Sequence, residues 1–287
     1  MEKRMGILNL TPDSFFPESR MLSGDGSFDG ARFLSAVQTH LDKGADIIDL
    51  GACSTRPGYT DVGAQEEWRR LQPALELWKR HFFSVPLSID TYHAEIARRC
   101  APYSEHLIIN DISAGDYDSD MLSTVAELGC GYVAMHHDRL READGVEDRA
   151  QGPEDGVSRF GGATLSAEAA GALSQVEAWY EKFSLRAESA GLKDWWFDPG
   201  YGFGKSLAQN WALLRHLDLL PHERPILVGL SRKSMLYKLL PEASDPKYSP
   251  SELAALPQTK TLTRLANRLA RLGGASIFRV HDIEDAF

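Results

Sequence analysis

Short apolar runs recur along the chain, each separated from the next by enough residues for a helix. Eight runs are rich in strand-forming residues and nearly continuous in apolar character, as expected of parallel strands that are covered on both faces. They occupy residues 4–9, 46–51, 86–91, 106–112, 131–136, 195–200, 225–230 and 276–282. The pattern therefore predicts eight buried parallel strands.

Helical periodicity lies between these runs, over residues 29–43, 64–80, 94–100, 121–128, 167–190, 207–219 and 260–272. Several of these segments end at a glycine that suits a left-handed helix cap, namely Gly44, Gly129, Gly191 and Gly273. Eight strands that alternate with helices predict an α/β fold, a TIM (β/α)8 barrel in a single domain over residues 1–287. A doubly wound open sheet is the alternative that the strand count leaves open.

Three parts of the chain depart from this alternation. Residues 138–165 are charged, rich in glycine and without periodicity, so we expect an irregular insertion after the fifth strand. Residues 241–257 form a second irregular stretch before the last helix. Because only residues 283–287 follow the eighth strand, we expect a truncated eighth helix, whose place is left uncovered or is taken by a partner subunit.

Composition narrows the class of protein. The net charge of −10 argues against nucleic-acid or membrane-surface binding, which usually needs a basic face. No stretch approaches the roughly 20 apolar residues of a membrane span, and residues 1–10 lack the apolar segment of a secretory signal. Cys53, Cys100 and Cys130 are far apart and odd in number, which favours neither disulfides nor a zinc site. We expect a cytoplasmic protein with small-molecule substrates.

Every apolar run stops at polar residues. In a parallel barrel the carboxyl ends of the strands meet at one face, where barrel enzymes place their sites. A single such residue would be an ordinary helix cap or turn, but eight strands that all end this way predict a polar pocket. The residues are Asn9, Asp49 with the following segment 54–58, Asp90, Asn110, His136, Asp198, Ser231 with Lys233, and Arg279 with His281.

The pocket residues divide into two chemical sets. Asp90, Asn110, Asp198 and Lys233 suit a flat nitrogen heterocycle, because a carboxylate can accept two parallel N–H hydrogen bonds from an amino-amidine edge. The other set offers cationic and hydroxyl donors for an anion, from Thr55, Arg56, Arg279 and His281. Lys233 and Ser234 also open a predicted helix, whose first amides favour a bound anion.

A metal site at His136, His137 and Asp138, together with His281, is a weaker interpretation. Barrel hydrolases with metal clusters typically carry His-x-His at the first strand, where this chain has Asn9 and Thr11. We therefore expect His137 to be a surface residue of the insertion.

Seven blocks of the sequence resemble the dihydropteroate synthase family. They occur in the family's order and cover most of the chain from residue 4 to residue 282. One block alone would be a modest signal, whereas seven in order are highly specific. The blocks are residues 5–15 (MGILNLTPDSF), 51–58 (GACSTRPG), 89–91 (IDT), 109–112 (INDI), 198–205 (DPGYGFGK), 231–233 (SRK) and 279–282 (RVHD).

The resemblance implies a TIM barrel, usually a homodimer, that is a transferase. The implied reaction joins 6-hydroxymethyl-7,8-dihydropterin diphosphate to 4-aminobenzoate with Mg²⁺ as cofactor and loss of diphosphate. By position, Asp90, Asn110, Met135, Asp198 and Lys233 match the pterin-binding residues, and Asn9 matches the residue that contacts Mg²⁺ with the diphosphate. Thr55, Arg56, Arg279 and His281 match diphosphate contacts and, with Lys233, the catalytic set, while Phe15, Pro57 and Ser234 match the 4-aminobenzoate region.

One residue departs from the family pattern, and two other functions stay open. Cys53 stands where many family members carry Glu, and we expect a tolerated small residue rather than a reactive thiol. A pterin-dependent methyltransferase would share the pterin pocket but would not need the diphosphate clamp. A non-catalytic paralogue would bind pterin without condensing it.

Overall fold

A computed structural model of the chain describes residues 2–10, 28–53, 62–137, 157–160 and 163–287. Eight of its ten strands form one sheet in which all neighbours are parallel, in the order β8-β5-β4-β3-β2-β1-β10-β9. The strands are β1 Lys3–Asn9, β2 Ile47–Gly51, β3 Leu87–Asp90, β4 Leu107–Asp111, β5 Gly131–Met135, β6 Val157–Phe160, β7 Ala163–Ser166, β8 Trp195–Asp198, β9 Leu227–Val228 and β10 Ile277–Val280.

The two outer strands of this order meet and close the sheet. Phe197 of β8 forms a parallel bridge with Ile226, just before β9, and the Phe197 amide donates to the Pro225 carbonyl at 2.9 Å. The fold is therefore the predicted TIM barrel, and the open-sheet alternative is wrong.

Helices cover the outside of the barrel. They are α1 Gly30–Asp42, α2 Gly63–His81, α3 Ala94–Cys100, α4 Met121–Leu128, α5 Ala167–Ser189, α6 Leu207–Arg215, α7 Ser234–Tyr237, α8 Pro250–Ala255 and α9 Pro257–Leu272. Local sequence sets several of their starts. Ser206 and Gln209 form a reciprocal capping box at α6, and Ser249 and Glu252 form another at α8. Within the described residues, no helix is long and apolar enough to cross a bilayer.

Two apolar layers hold these elements together. The larger layer lies between the strands and the helices, with Trp78, Phe183 and Phe197 among its buried side chains. The smaller layer fills the inside of the barrel and consists of Met5, Ile47, Ile108, Val133, Trp196, Leu227 and Ile277. The pair Trp195 and Trp196 belongs to packing, as predicted, one ring outside the barrel and the other inside.

The structure corrects several expectations. Part of the expected irregular insertion is ordered as an antiparallel pair, β6 with β7, separated in sequence by the glycines at 161 and 162. The rest of it, residues 138–156, lies outside the described residues. The stretch 241–257 was also expected to be irregular, but it contains the 3-10 turn Pro241–Ser244 and helix α8. The expected helix 207–219 ends at Arg215, followed by a 3-10 turn at Leu217–Leu219.

The segment after β10 and the glycine caps of the helices can also be compared with the expectations. A single 3-10 turn, Ile283–Asp285, follows the last strand. Its Ile283 is buried beside Gly6 of β1. Gly44, Gly129 and Gly191 have positive φ as expected, but after α9 the left-handed residue is Gly274 rather than Gly273.

Candidate active site

Side chains alternate between the inside and the outside of the barrel along each strand. The apolar inner layer marks the inward positions, for example Ile108 in β4 and Trp196 in β8. The predicted site residues of five strands stand an even number of positions beyond an inner-layer residue of the same strand, and in β3 Asp90 alternates with Leu87 and Ile89 of the outer layer. All of them therefore share the inward direction and lie nearer the carboxyl-end face. They are Asn9, Asp90, Asn110, Met135, Asp198 and Arg279.

Arg279 lies at the centre of this polar layer. Its Nε donates to Asp49 Oδ2 at 2.7 Å and its Nη2 donates to Asp90 Oδ2 at 2.7 Å. Ser88 adds a hydrogen bond of 2.5 Å from its hydroxyl to Asp49 Oδ1. One guanidinium therefore links carboxylates from two neighbouring strands, β2 and β3.

Burial and charge act against each other on these groups. Burial, together with the nearby carboxylates Asp49 and Glu67, raises the pKa of Asp90 to about 7, while the positive charge of Arg279 acts to lower it. Burial opposes the charge of Arg279, but its two carboxylate partners more than offset this and raise its pKa. Burial also raises the pKa of Asp198, against the opposing influence of Gly200 N–H and Lys233. Two inward carboxylates are therefore poised closer to neutral pH than an ordinary aspartate.

A loop of three glycines after β8 shapes one wall of the pocket. Gly200 has a φ of +70°, and a Cβ at this position would lie 1.7 Å from the carbonyl oxygen of His136. Asn210 holds the loop from α6: its Oδ1 accepts from Gly202 N at 2.7 Å, and its Nδ2 donates to Ser206 O at 2.7 Å. The close approach and the left-handed backbone explain why the sequence needs glycine here.

Lys233 closes the pocket from the side of β9. Its ammonium donates to the Tyr201 carbonyl at 2.6 Å and lies 4.2 Å from the centre of the Phe203 ring. Gly202 faces this side chain, since a Cβ there would lie 3.2 Å from the Lys233 Cδ. The lysine and Asp198 are thus brought to the same glycine loop.

The remaining described residues of the anion set lie at the ends of β9 and β10. His281 Nδ1 is 3.0 Å from the hydroxyl of Ser231, which also accepts from the His281 backbone amide at 3.3 Å. Ser234 begins α7, as predicted, but this helix has only four residues. It therefore supplies a single turn of amides rather than the full helix terminus that was expected.

Asn9 lies at the mouth of the pocket, next to β2. A Cβ on Gly51 would be 3.4 Å from Asn9 Oδ1 and 3.6 Å from Asp90 Cβ. Glycine at position 51 therefore leaves space between the amide of Asn9 and the carboxylate of Asp90. Among the described residues there is no group of three or more His, Cys, Asp or Glu that could hold a metal.

Four predicted site residues lie outside the described residues: Phe15, Thr55, Arg56 and Pro57. His137 was expected at the surface, but it is half-buried, and burial lowers the pKa of its imidazole. Cys53 is buried, in keeping with the expectation of a small packing residue.

The sequence interpretation named two residues that organise the site only among the polar residues of the strand ends and assigned neither of them to a chemical set. Asp49 received no role, although its position in β2 shares the inward direction of Ile47 and Gly51. Ser231 was noted only as a strand-end residue, and its contact with His281 depends on how two distant strands pair. The alternation of β2 was the available signal for Asp49; none existed for Ser231.

A separate cavity of about 410 Å³ opens at the opposite, amino-terminal end of the barrel. Its lining includes Lys3, Trp196 and Arg224, and the Lys3 ammonium lies 5.6 Å from the Trp196 ring centre. None of the predicted site residues lines it. The inward polar layer, rather than this cavity, is therefore the candidate active site.

Known proteins resemble the chain over almost its whole length. The family described as "Pterin binding enzyme" matches residues 5–281. The dihydropteroate synthase of Streptococcus pyogenes is 35% identical, over 98% of this chain and 90% of that protein. The mitochondrial folate synthesis bifunctional protein of Pisum sativum is 33% identical, but the chain spans only 50% of its length.

A solved structure of a dihydropteroate synthase has a similar fold. The structure of the Xanthomonas albilineans dihydropteroate synthase with 4-aminobenzoic acid aligns with a TM-score of 0.74 at 30% identity. The alignment covers 99% of this chain and 89% of that one.

Proposed function

The chain belongs to the pterin binding enzyme family, and from that premise we propose that it catalyses the dihydropteroate synthase reaction of folate biosynthesis. In this transferase reaction, 6-hydroxymethyl-7,8-dihydropterin diphosphate and 4-aminobenzoate give 7,8-dihydropteroate and diphosphate. The observation that carries the proposal is the inward polar layer at the carboxyl ends of the strands, where Asp90, Asn110 and Asp198 lie with two cationic side chains.

The pterin ring fits the part of the layer between β3 and β8. Ionised Asp198 can accept parallel N–H hydrogen bonds from the amino-amidine edge of a pterin. Asp90 and Asn110 offer further acceptors, and the Asn110 amide also offers donors. Met135 is the register partner of Asp198 and is buried, so its thioether gives the ring an apolar surface.

The diphosphate would be held on the other side of the pocket. The set that we propose for it is Arg279 and His281, together with Thr55 and Arg56. As diphosphate departs, negative charge accumulates on its oxygens, and these donors stabilise that charge. Because the leaving group takes the bonding electrons, the pterin is left with a cationic exocyclic carbon.

The residues present fit Mg²⁺ as the cofactor. Mg²⁺ prefers oxygen ligands and is usually held by one or two side chains, most often carboxylates, together with substrate phosphates and water. Asn9 Oδ1 is such an oxygen, and Gly51 leaves space beside it. When bound, the ion would neutralise charge on the departing diphosphate.

The second substrate would bind at Phe15, Pro57 and Ser234. Ser234 adjoins Lys233, so a carboxylate held there lies beside the pterin pocket. The amine of 4-aminobenzoate then attacks the exocyclic carbon and loses a proton. No protein nucleophile is needed, so positioning and electrostatics supply the rate acceleration.

The test is dihydropteroate formation from the two substrates with Mg²⁺, with and without EDTA. We expect product that depends on the metal ion. If folded protein binds the pterin diphosphate but forms no product, the result would favour the non-catalytic paralogue or the pterin-dependent methyltransferase instead. Failure to bind it would contradict the assignment of the pocket.

Two further properties belong to the proposal. We propose a homodimer, supported by the exposed Leu265 and Leu272 on α9, which would be covered by a second copy. Light scattering of the purified chain measures its mass, and a monomer at micromolar concentration would contradict the dimer.

We also propose a cytoplasmic location, since the cysteines Cys53, Cys100 and Cys130 are unbonded to one another.

A further inference from the structure

The pairing of β9 with β10 continues beyond the two strands through side chains. Within the strands, Leu227 pairs with Ile277 and Val228 with Phe278, an offset of 50 residues. Ser231 contacts His281 and Arg232 contacts Asp282 at the same offset. Two side-chain links therefore keep the register at the point where the strand ends form the pocket.

The backbone at Arg232 is unusual. The Lys233 amide donates to the Leu230 carbonyl at 3.2 Å, which closes a turn, and Arg232 at the third position has a φ of +61°. Such positions usually hold glycine or asparagine, because other side chains are strained there. An arginine in this place indicates that its side chain is needed.

The partner of this arginine is held from a second direction. Arg232 Nη2 donates to Asp282 Oδ2 at 2.8 Å, and Lys260 of α9 approaches the same oxygen at 3.2 Å. Burial opposes the charge of Asp282, but the two cations more than offset it, so its pKa is lowered. The carboxylate therefore stays ionised and fixes both Arg232 and the residue before it, His281.

We propose that the Arg232–Asp282 ion pair is a positioning element that sets the direction of the Lys233 ammonium and of the His281 imidazole. Arg232 reaches Asp282, which also pairs with Lys260 of α9, while its neighbour Lys233 reaches the Tyr201 carbonyl in the glycine loop, and Asp282 immediately follows His281. The ion pair thus connects the neighbours of its two members, Lys233, which we assign to the pterin, and His281, which we assign to the diphosphate. The kinetic part of this inference rests on the proposed function.

The kinetic test compares Arg232→Met, Arg232→Gly, Arg232→Lys and Asp282→Asn with wild type. Misplaced groups cost reactions about 10²-fold per ångström, so we expect kcat/KM for the pterin diphosphate to fall about 10- to 100-fold in Arg232→Met and Asp282→Asn. Glycine relieves the backbone strain, so Arg232→Gly should regain thermal stability relative to Arg232→Met without regaining kcat/KM. Lysine keeps the charge, and Arg232→Lys should recover part of the activity.

The matched control is Arg264→Met. It removes another ion pair to the same terminal segment, between Arg264 and Asp285 at 2.9 Å, that touches neither pocket residue. We expect it to keep kcat/KM within about twofold. The double variant Arg232→Met/Asp282→Asn should be no slower than the slower single variant. Activity near the wild-type value in both single variants, or additive losses, would overturn the proposal.

A second measurement does not depend on turnover. The imidazole resonances of His281 are identified by their loss in His281→Gln and followed by NMR in each variant. We expect them to shift in Arg232→Met and Asp282→Asn and to stay in place in Arg264→Met. Unchanged resonances would overturn the proposal even if wild type formed no dihydropteroate, so the two hypotheses fail separately.

Discussion

At the scale of the residue, the site depends on the two carboxylates to which the Arg279 guanidinium donates hydrogen bonds. It donates to Asp49 and to Asp90, and Asp49 is itself fixed by Ser88. A buried carboxylate is costly unless it is paired and hydrogen-bonded. Asp49 satisfies this requirement through its hydrogen bonds inside the protein. Asp90 has a raised pKa and can exchange Arg279 for a substrate group.

The raised pKa of Asp90 predicts a pH dependence near neutrality. The acid form dominates below about pH 7 and the ionised form above it, and the ionised form is the better acceptor for pterin N–H groups. We therefore expect kcat/KM for the pterin substrate to rise with pH through about 7. In Asp90→Asn this rise should disappear along with most of the activity. A pH profile of initial rates in wild type and variant measures both.

The same shift has the opposite sign for stability. A folded-state pKa above the unfolded value means that the folded chain holds the proton more tightly. The stabilising contribution of Asp90 is therefore present below the unfolded pKa and is lost as pH rises through about 7. Urea unfolding of wild type and Asp90→Asn across this range would show whether the pH slope of the free energy of unfolding shrinks in the variant.

Asp198 predicts a loss of affinity without a loss of stability. Asp198→Asn removes charge-assisted acceptors and presents an amide N–H to the pterin donors, so we expect binding to weaken about 100-fold. The melting temperature should not fall, because a buried carboxylate is removed. Calorimetric titration with a pterin diphosphate analogue measures the affinity. Asp194→Asn, at the exposed residue just before the same strand, should bind like wild type.

Sequence reasoning was sufficient for residues whose direction follows from strand alternation. Asn9, Asp90, Asn110 and Asp198 are all inward, and a simple count from the apolar inner layer would have added Asp49. It was insufficient for contacts between distant segments. Ser231 with His281 depends on the register of β9 against β10, which the pattern of either strand alone does not contain.

At the scale of the element, local signals decided what could be predicted. Helices α3 and α4 have the predicted bounds. The end of α4 has a clear stop signal in the left-handed Gly129, whereas α3 runs directly into a 3-10 turn and neither helix start has a side-chain cap. Helix α8 was missed because it is only six residues long, too short to show a period, although Ser249 and Glu252 form its capping box. The β6–β7 pair was missed because glycine and charge in that stretch hid the strand pattern.

The glycine loop after β8 gives a prediction at this scale. In Gly200→Ala the new Cβ would lie 1.7 Å from a backbone oxygen, so the chain must shift. We expect a loss of more than about 3 kcal/mol in the free energy of unfolding, with loss of pterin binding. Gly191→Ala has a similar φ of +76° but open space around its Cβ, and should lose about 1 kcal/mol. Equal losses in urea unfolding would contradict the steric explanation.

At the scale of the whole molecule, the barrel has one weak seam. Most neighbouring strands pair over four or five residues and β9 pairs with β10 over two, but β8 meets the β9 side through a single bridge at Phe197 and Ile226. Local opening concentrates where few hydrogen bonds must break. This seam lies next to Asp198 and Lys233, so its stability bears on the site.

We therefore expect the seam to exchange amide hydrogens first. Mass spectrometry of peptides that cover residues 195–198 and 225–230 should show protection at least about 10-fold lower than in the peptide that covers β3. The bound pterin diphosphate analogue should raise protection at the seam, since it contacts both sides. Uniform protection around the barrel would contradict this account.

The shared guanidinium of Arg279 has a consequence for inhibitor design. A compound that imitates the pterin alone must compete with Arg279 for Asp90, and one that imitates the diphosphate alone must draw Arg279 away from that carboxylate. A molecule that carries both groups makes the exchange in a single step, since its anion takes the guanidinium while its ring takes the released carboxylate. The joined molecule should therefore have a more favourable binding free energy than the sum for its two separate fragments. Measurements on either fragment alone would underestimate the affinity of the joined molecule.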